Sequence, residues 1–143
     1  MKPVFSILII LITLSGFGQM PIFKRYYIAD IPGLGWLAEF YVTHLMHYLA
    51  AACLTVLFFF VLAEFMLGKK RWAAVTRLGR AGAGILAGLI VSGGLLVIKN
   101  LDGIYWPHGL IIGLDLVHLA FCMGLLGISF YTLAAGKPWF GRE

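Results

Sequence analysis

Apolar residues fall into four long runs along the 143-residue chain, separated by shorter polar stretches. The runs cover residues 4–19, 37–67, 82–98 and 109–135. A helix that spans a bilayer needs about 20 apolar residues, with a range of about 17–25. The pattern therefore predicts an all-α integral membrane protein, a bundle of four transmembrane helices forming a single domain over residues 1–143. The first run is slightly short, and the second is long enough to tilt or protrude.

The composition supports a membrane protein. Hydrophobic residues make up 62% of the chain and charged residues 12%, whereas soluble domains carry about 25% charged residues. The net charge of +5 does not indicate a nucleic-acid partner, because the basic residues flank the apolar runs. The chain is too short for a separate catalytic domain. Cys53 and Cys122 lie inside apolar runs, where small buried hydrophobes are expected.

The N-terminal run also has features of a secretory signal peptide, since Lys2 precedes an apolar stretch. The segment "LSGFGQM" that follows is a poor small-residue cleavage site. We therefore expect the first run to be retained as a transmembrane helix.

The loop between the second and third runs predicts the orientation. Basic residues concentrate in short cytoplasmic loops, and this loop carries five of them: Lys69, Lys70, Arg71, Arg77 and Arg80. Both termini should therefore be cytoplasmic. The loops "PIFKRYYIADIPGLGW" and "NLDGIYWPHG" should face outside, and the predicted location is the inner membrane of a prokaryote.

The third run is rich in small residues, among them the small-xxx-small pair Gly84 and Gly88. Such pairs let two membrane helices pack closely. Missing side chains also make room for a flat cofactor, and the two interpretations are compatible.

The segment "THLMHY" places His44 and His47 one helical turn apart inside the second run. At about 1.5 Å rise per residue, His44 lies about 10 Å and His47 about 15 Å from the outer end of this run. His118 lies about 13 Å into the fourth run by the same estimate. His47 and His118 therefore reach a similar depth on two different helices.

Two histidines at matched depth favour axial ligation of a haem iron, because imidazole is a common haem ligand and bundle cofactors bind between facing helices. We predict His47 and His118 as the ligands of one haem b, with His44 as the weaker candidate. The alternative is a hydrogen-bonded structural or proton-relay histidine. Zinc is less favoured, because a zinc site needs three or four protein ligands and no HExxH motif is present.

Asp115 lies three residues before His118, and an intramembrane carboxylate is a functional candidate. It is expected to hydrogen bond a histidine or to take part in quinol protonation, with an inward-facing structural carboxylate as the alternative. We place His44, Asp115 and the interfacial His108 in a candidate group for quinone or proton exchange.

The loop that begins "KRYY" places Lys24 and Arg25 on the outer side, against the charge bias. Arg25 is a candidate for pairing with haem propionates, because carboxylates favour arginine. The alternatives are docking of an extrinsic partner through Tyr and Trp anchors and an ordinary interfacial aromatic belt.

Three segments, "LITLSGFGQMPIF", "HLMHYLAA" and "DLVHLAF", give the chain a resemblance to a known family. It resembles the b-type cytochrome membrane subunits of respiratory formate dehydrogenases and nickel–iron hydrogenases, which are quinone-linked four-helix subunits. The resemblance implies an outer haem ligated by His47 (or His44) and His118. The family's second haem takes ligands from the first helix and from a further histidine of the fourth, and neither is present in this sequence.

Taken together, the sequence predicts a membrane haem b subunit of a respiratory oxidoreductase complex. It would pass electrons between a partner iron–sulfur or cytochrome subunit and the quinone pool. No catalytic residues are expected in this chain, because the substrate chemistry would lie in the partners. The alternatives are a haem-free membrane anchor or quinone-binding subunit, and a small proton or ion transporter using Asp115 with His118.

Overall fold

The structure is a computed structural model that describes residues 2–20, 30–68 and 74–141. Over these ranges the chain is helical. Its elements are α1 (Lys2–Gly18), a short 3-10 helix (Gly35–Ala38), α2 (Phe40–Met66), α3 (Arg77–Ile98) and α4 (His108–Ala134). An isolated bridge joins Val75 to Phe140. The prediction of an all-α fold is confirmed over the described residues, which contain four α-helices, three of them long.

Three of the helices are long and apolar enough to cross a membrane: α2 with 27 residues, α3 with 22 and α4 with 27. The fourth, α1, is a shorter apolar helix of 17 residues. Many large apolar side chains on these helices are exposed, such as Val56, Val91 and Leu116. Surfaces of this kind suit the acyl chains of a lipid bilayer, so the chain is a multi-pass membrane protein.

Helix α3 begins at Arg77, five residues before the predicted apolar run. Thr76 caps this helix, because its Oγ accepts a hydrogen bond of 3.0 Å from the Gly79 N–H. The first turn contains arginines, so hydropathy alone missed it. Helix α2 begins at Phe40 because residues 35–38 form the 3-10 helix instead.

The chain divides into two compact units, Met1–Ala63 and Glu64–Glu143. The first unit contains α1 and most of α2. Its buried residues include Leu37, Thr43 and Ala50. Gly18 is needed in this core, because a Cβ at this position would lie 3.0 Å from Cγ2 of Thr43.

The second unit contains the hairpin formed by α3 and α4. Gly88 allows the two helices to approach, since a Cβ on it would lie 2.7 Å from the Phe121 ring. The close-packing interpretation of the third run is therefore confirmed at Gly88. Gly84, the other member of the predicted pair, does not lie at this close contact, because a Cβ on it would meet no described atom within 4 Å.

The C-terminal segment folds back onto the start of α3. The Thr76 N–H donates to the Trp139 carbonyl at 3.0 Å, and the Gly141 N–H donates to the Ala74 carbonyl at 2.7 Å. The Trp139 indole covers Gly82, where a Cβ would lie 2.7 Å from the ring. The small residues at this end of α3 thus accommodate an aromatic side chain.

Candidate functional site

His47 of α2 is held by α1 through its Nδ1 atom. The hydroxyl of Ser15 lies 3.2 Å from Nδ1, and the carbonyl of Ile12 lies 3.1 Å from it. Ser15 is completely buried. A single face of α1 therefore fixes the position of this imidazole.

These contacts also determine which ring nitrogen of His47 carries the proton. The Ser15 hydroxyl donates its only proton to the Leu11 carbonyl at 2.7 Å, so its lone pair faces the imidazole. A carbonyl such as that of Ile12 is an acceptor only. Nδ1 is therefore the protonated nitrogen in the neutral imidazole, and Nε2 carries the lone pair that binds a metal.

His118 of α4 has the same arrangement in the second unit. Its Nδ1 lies 2.8 Å from the hydroxyl of Ser92 on α3. The same hydroxyl lies 2.8 Å from the Gly88 carbonyl, and when it donates there it accepts from the Nδ1–H of His118. Ser92 is 3% exposed. In that arrangement the lone pair of His118 also lies on Nε2.

A glycine follows each serine and lies against the same imidazole. A Cβ on Gly16 would be 3.1 Å from Cε1 of His47, and a Cβ on Gly93 would be 3.3 Å from Cε1 of His118. Both distances are shorter than an ordinary van der Waals contact. The Ser-Gly pair therefore supplies both the hydrogen-bond acceptor and the space for the ring.

His44 lies one turn before His47 and is held differently. Its Nδ1 is 3.1 Å from Oε1 of Gln19, whose Nε2 donates to the Ser15 carbonyl at 3.2 Å. The ring stacks on Phe40 with a centroid separation of 5.1 Å. The centroid of the Tyr48 ring lies 4.2 Å from that of the imidazole. His44 is thus ordered by a carboxamide and two aromatic rings.

Asp115 pairs with Lys99 in the second unit. The Lys99 Nζ and the Asp115 Oδ1 are 3.5 Å apart, and the two side chains are 20% and 54% exposed, respectively. This long ion pair links the C-terminal end of α3 to α4. In the structure the partner of the Asp115 carboxylate is therefore Lys99, whereas a histidine was one of the expected partners.

The other predicted site residues are more peripheral. His108 is exposed and is the first residue of α4, which Pro107 precedes. Arg25 lies outside the described residues, so its predicted pairing with propionates is a proposal.

Sequence reasoning missed Ser15 and Ser92. The signal was available, because the dipeptide Ser-Gly occurs once in α1 and once in α3. The serines are 32 and 26 residues from their histidines, and nothing in a linear pattern pairs residues over such distances.

The two imidazoles fit the donor chemistry of a haem iron. A histidine that binds a metal through one ring nitrogen usually donates the other N–H to a carbonyl, a carboxylate or water, and His47 donates its Nδ1–H to an oxygen acceptor of this kind. Within the described ranges, no group of three or more His, Cys, Asp or Glu side chains is arranged to hold a metal ion. Axial haem ligation takes two protein ligands rather than three.

An open groove of about 380 Å³ lies along α3 and α4, lined by apolar side chains such as Val91 and Val117 together with Gly88 and Ser92. Small residues of α3 therefore leave room beside the helix as well as permitting close packing.

Comparisons with protein-family models, with curated proteins and with solved structures found no match to this chain.

Proposed function

We propose that this chain is the membrane haem b subunit of a respiratory oxidoreductase complex, with His47 and His118 as the axial ligands of one haem. The observation that supports this most directly is the shared state of the two imidazoles. Each has its Nδ1 hydrogen bonded to a buried serine of the preceding long helix, and when Nδ1 is the donor the metal-binding lone pair is on Nε2.

The bound haem would supply one-electron transfer between a partner iron–sulfur or cytochrome subunit and the quinone pool. This chain's own contribution is to hold the two ligands in an apolar surrounding, which tunes the potential of a haem. Arg25 in the outer loop is the proposed partner of the propionates. The substrate chemistry belongs to the partner subunits.

Quinone chemistry also needs proton exchange, because reduction of a quinone to a quinol takes two electrons and two protons. We assign this exchange to His44 and Asp115, with His108 at the outer interface. Gln19 orders His44 at 3.1 Å and Lys99 orders Asp115 at 3.5 Å. General acid–base groups must be positioned in this way to exchange protons with a substrate.

The proposed topology has four spans in the inner membrane of a prokaryote, with both termini cytoplasmic. Helix α1, with 17 residues, is at the lower end of the spanning range. Arg77 and Arg80 at the start of α3 belong to the basic loop that dominates orientation.

A reduced-minus-oxidised visible spectrum of the purified complex tests the proposal. A low-spin b-type signal with one haem per chain is the expected result. A chain that carries no haem would instead favour the haem-free anchor or quinone-binding subunit, because a structural histidine can make the same Nδ1 bonds. The same result, together with proton or ion flux in proteoliposomes, would favour the transporter alternative.

A further inference from the structure

The two helical hairpins repeat one pattern of residues. In each, a Ser-Gly pair in the first helix precedes a turn, and a histidine follows in the second helix. A buried leucine comes seven residues after each histidine, Leu54 after His47 and Leu125 after His118, and each is 4% exposed. The two hairpins therefore share a buried leucine at the same distance from the histidine, in addition to the histidine itself.

The turns between the helices repeat as well. Gly33 and Gly103 both have positive φ, at 89° and 82°. In each turn the residue after the glycine donates its N–H to a carbonyl three residues earlier, Leu34 to Ile31 at 2.9 Å and Ile104 to Leu101 at 3.3 Å. A tryptophan stands three residues after each glycine, and the sequence distance from glycine to histidine differs by one residue between the hairpins.

The hydrogen bonds to the imidazoles are equivalent in this repeat. Ser15 donates to the carbonyl of the residue four positions earlier, Leu11, and Ser92 donates to Gly88 in the same relation. Each hydroxyl also lies within hydrogen-bond distance of the Nδ1 atom of its histidine, at 3.2 Å for His47 and 2.8 Å for His118. The serine–imidazole contact is therefore common to both hairpins.

From this repeat we propose that each hairpin is a half-site for one metal-binding imidazole, in which Ser15 and Ser92 are positioning residues for His47 and His118. The inference rests on the proposed haem function. Each serine fixes the ring orientation and the Nδ1–H tautomer. A hydrogen-bonded Nδ1–H makes Nε2 a more basic ligand, which favours the oxidised iron and lowers the reduction potential.

The two half-sites differ in one respect that makes the inference testable. His47 has a second acceptor, the Ile12 carbonyl at 3.1 Å, and its distance to Ser15 is 3.2 Å. His118 relies on Ser92 at 2.8 Å. Loss of the Ser92 hydroxyl should therefore have the larger effect, because no substitution removes the backbone carbonyl beside His47.

The experiment compares Ser15→Ala and Ser92→Ala with the wild type and with the rescue variant Ser92→Thr, in the full-length chain. Histidine ¹⁵N NMR of the haem-free protein in detergent reports the tautomers. Haem titration and redox titration then report affinity and midpoint potential. The rescue variant keeps a hydroxyl, and a helical threonine can also donate it to the carbonyl four residues earlier.

The expected result is that both histidines are Nδ1–H tautomers in the wild type. Ser92→Ala should mix the tautomers of His118, weaken haem binding about 10-fold or more and raise the midpoint potential. Ser15→Ala should do the same to a smaller extent, and Ser92→Thr should restore the wild-type values.

The two proposals fail in different ways. If the wild type binds haem with a normal low-spin spectrum but both serine-to-alanine variants leave tautomer, affinity and potential unchanged, the positioning role is overturned and the haem function stands. If the wild type binds no haem, the haem function is overturned and the half-site inference falls with it.

Discussion

The hydroxyl of Ser92 lies 2.8 Å from Nδ1 of His118 and donates its own proton to the Gly88 carbonyl. When the serine donates to that carbonyl, it accepts from the Nδ1–H of the imidazole. A buried hydroxyl on one helix thus contacts Nδ1 of an imidazole on another, and Ser15 has the same relation to His47.

Substitution of the glycine beside each serine should weaken haem binding as much as substitution of the serine itself. Alanine at Gly16 would place a Cβ 3.1 Å from Cε1 of His47, and alanine at Gly93 would place one 3.3 Å from Cε1 of His118. We expect each change to displace the ring and weaken haem binding about 10-fold, an effect typical of disturbed ligand support. Haem titration of the purified variants measures this.

Gly94→Ala is the matched control, because a Cβ there would meet no described atom within 4 Å. It should bind haem as the wild type does. Equal binding by the Gly16, Gly93 and Gly94 variants would show that the glycines are not required for ring space.

The C-terminal segment should stabilise the second unit through Trp139. Gly82→Ala would place a Cβ 2.7 Å from the indole, and overpacking of this kind costs about 1–3 kcal/mol. The thermal unfolding midpoint in detergent should fall accordingly. Gly84→Ala is the control, since a Cβ there has open space among the described atoms. A Gly82→Ala variant as stable as Gly84→Ala would contradict the packing role of Trp139.

The helices could be predicted from the sequence because each is a long apolar run. The histidines could be identified as candidate site residues because imidazole is rare in such runs. The start of α3 was within reach too, since Thr76 followed by a polar first turn is a recognisable N-cap. Hydropathy alone places the start of this helix at residue 82, five residues too late, because the first turn contains arginines.

The serine contacts and the docking of Trp139 could not be predicted in the same way. Serine is common in membrane helices, where it usually bonds its own helix. Whether it also meets a histidine depends on how two helices pack. Trp139 likewise reads as an interfacial aromatic, and only the folded hairpin places it over Gly82.

The proton-exchange groups should affect turnover without affecting the haem. His44→Ala and Asp115→Asn remove the two candidate groups, and we expect each to lower quinone-linked turnover of the complex by about 10²-fold, the lower range for general acid–base catalysis. The visible spectrum should be unchanged in both. Normal turnover in both variants would remove these residues from the quinone assignment.

The topology predicts that position 108 faces outside. In a background where Cys53 and Cys122 are replaced by alanine, His108→Cys should react with a membrane-impermeant thiol reagent added to intact spheroplasts. His108 is exposed at the start of α4, so the reagent can reach it. Labelling only in inverted vesicles would reverse the proposed orientation.

The proposed axial ligands can be tested by removing each histidine in turn. On the proposed function, His47→Ala or His118→Ala would remove an iron bond and leave an enlarged apolar cavity. Each should abolish the low-spin bis-histidine spectrum. His44→Ala is the control, because Gln19 and two aromatic rings hold this imidazole instead, and it should retain the spectrum with at most a shifted potential. If His44→Ala loses the signal while His47→Ala retains it, the roles of the two histidines are exchanged, and the Ser15 contact then supports a structural histidine rather than a ligand.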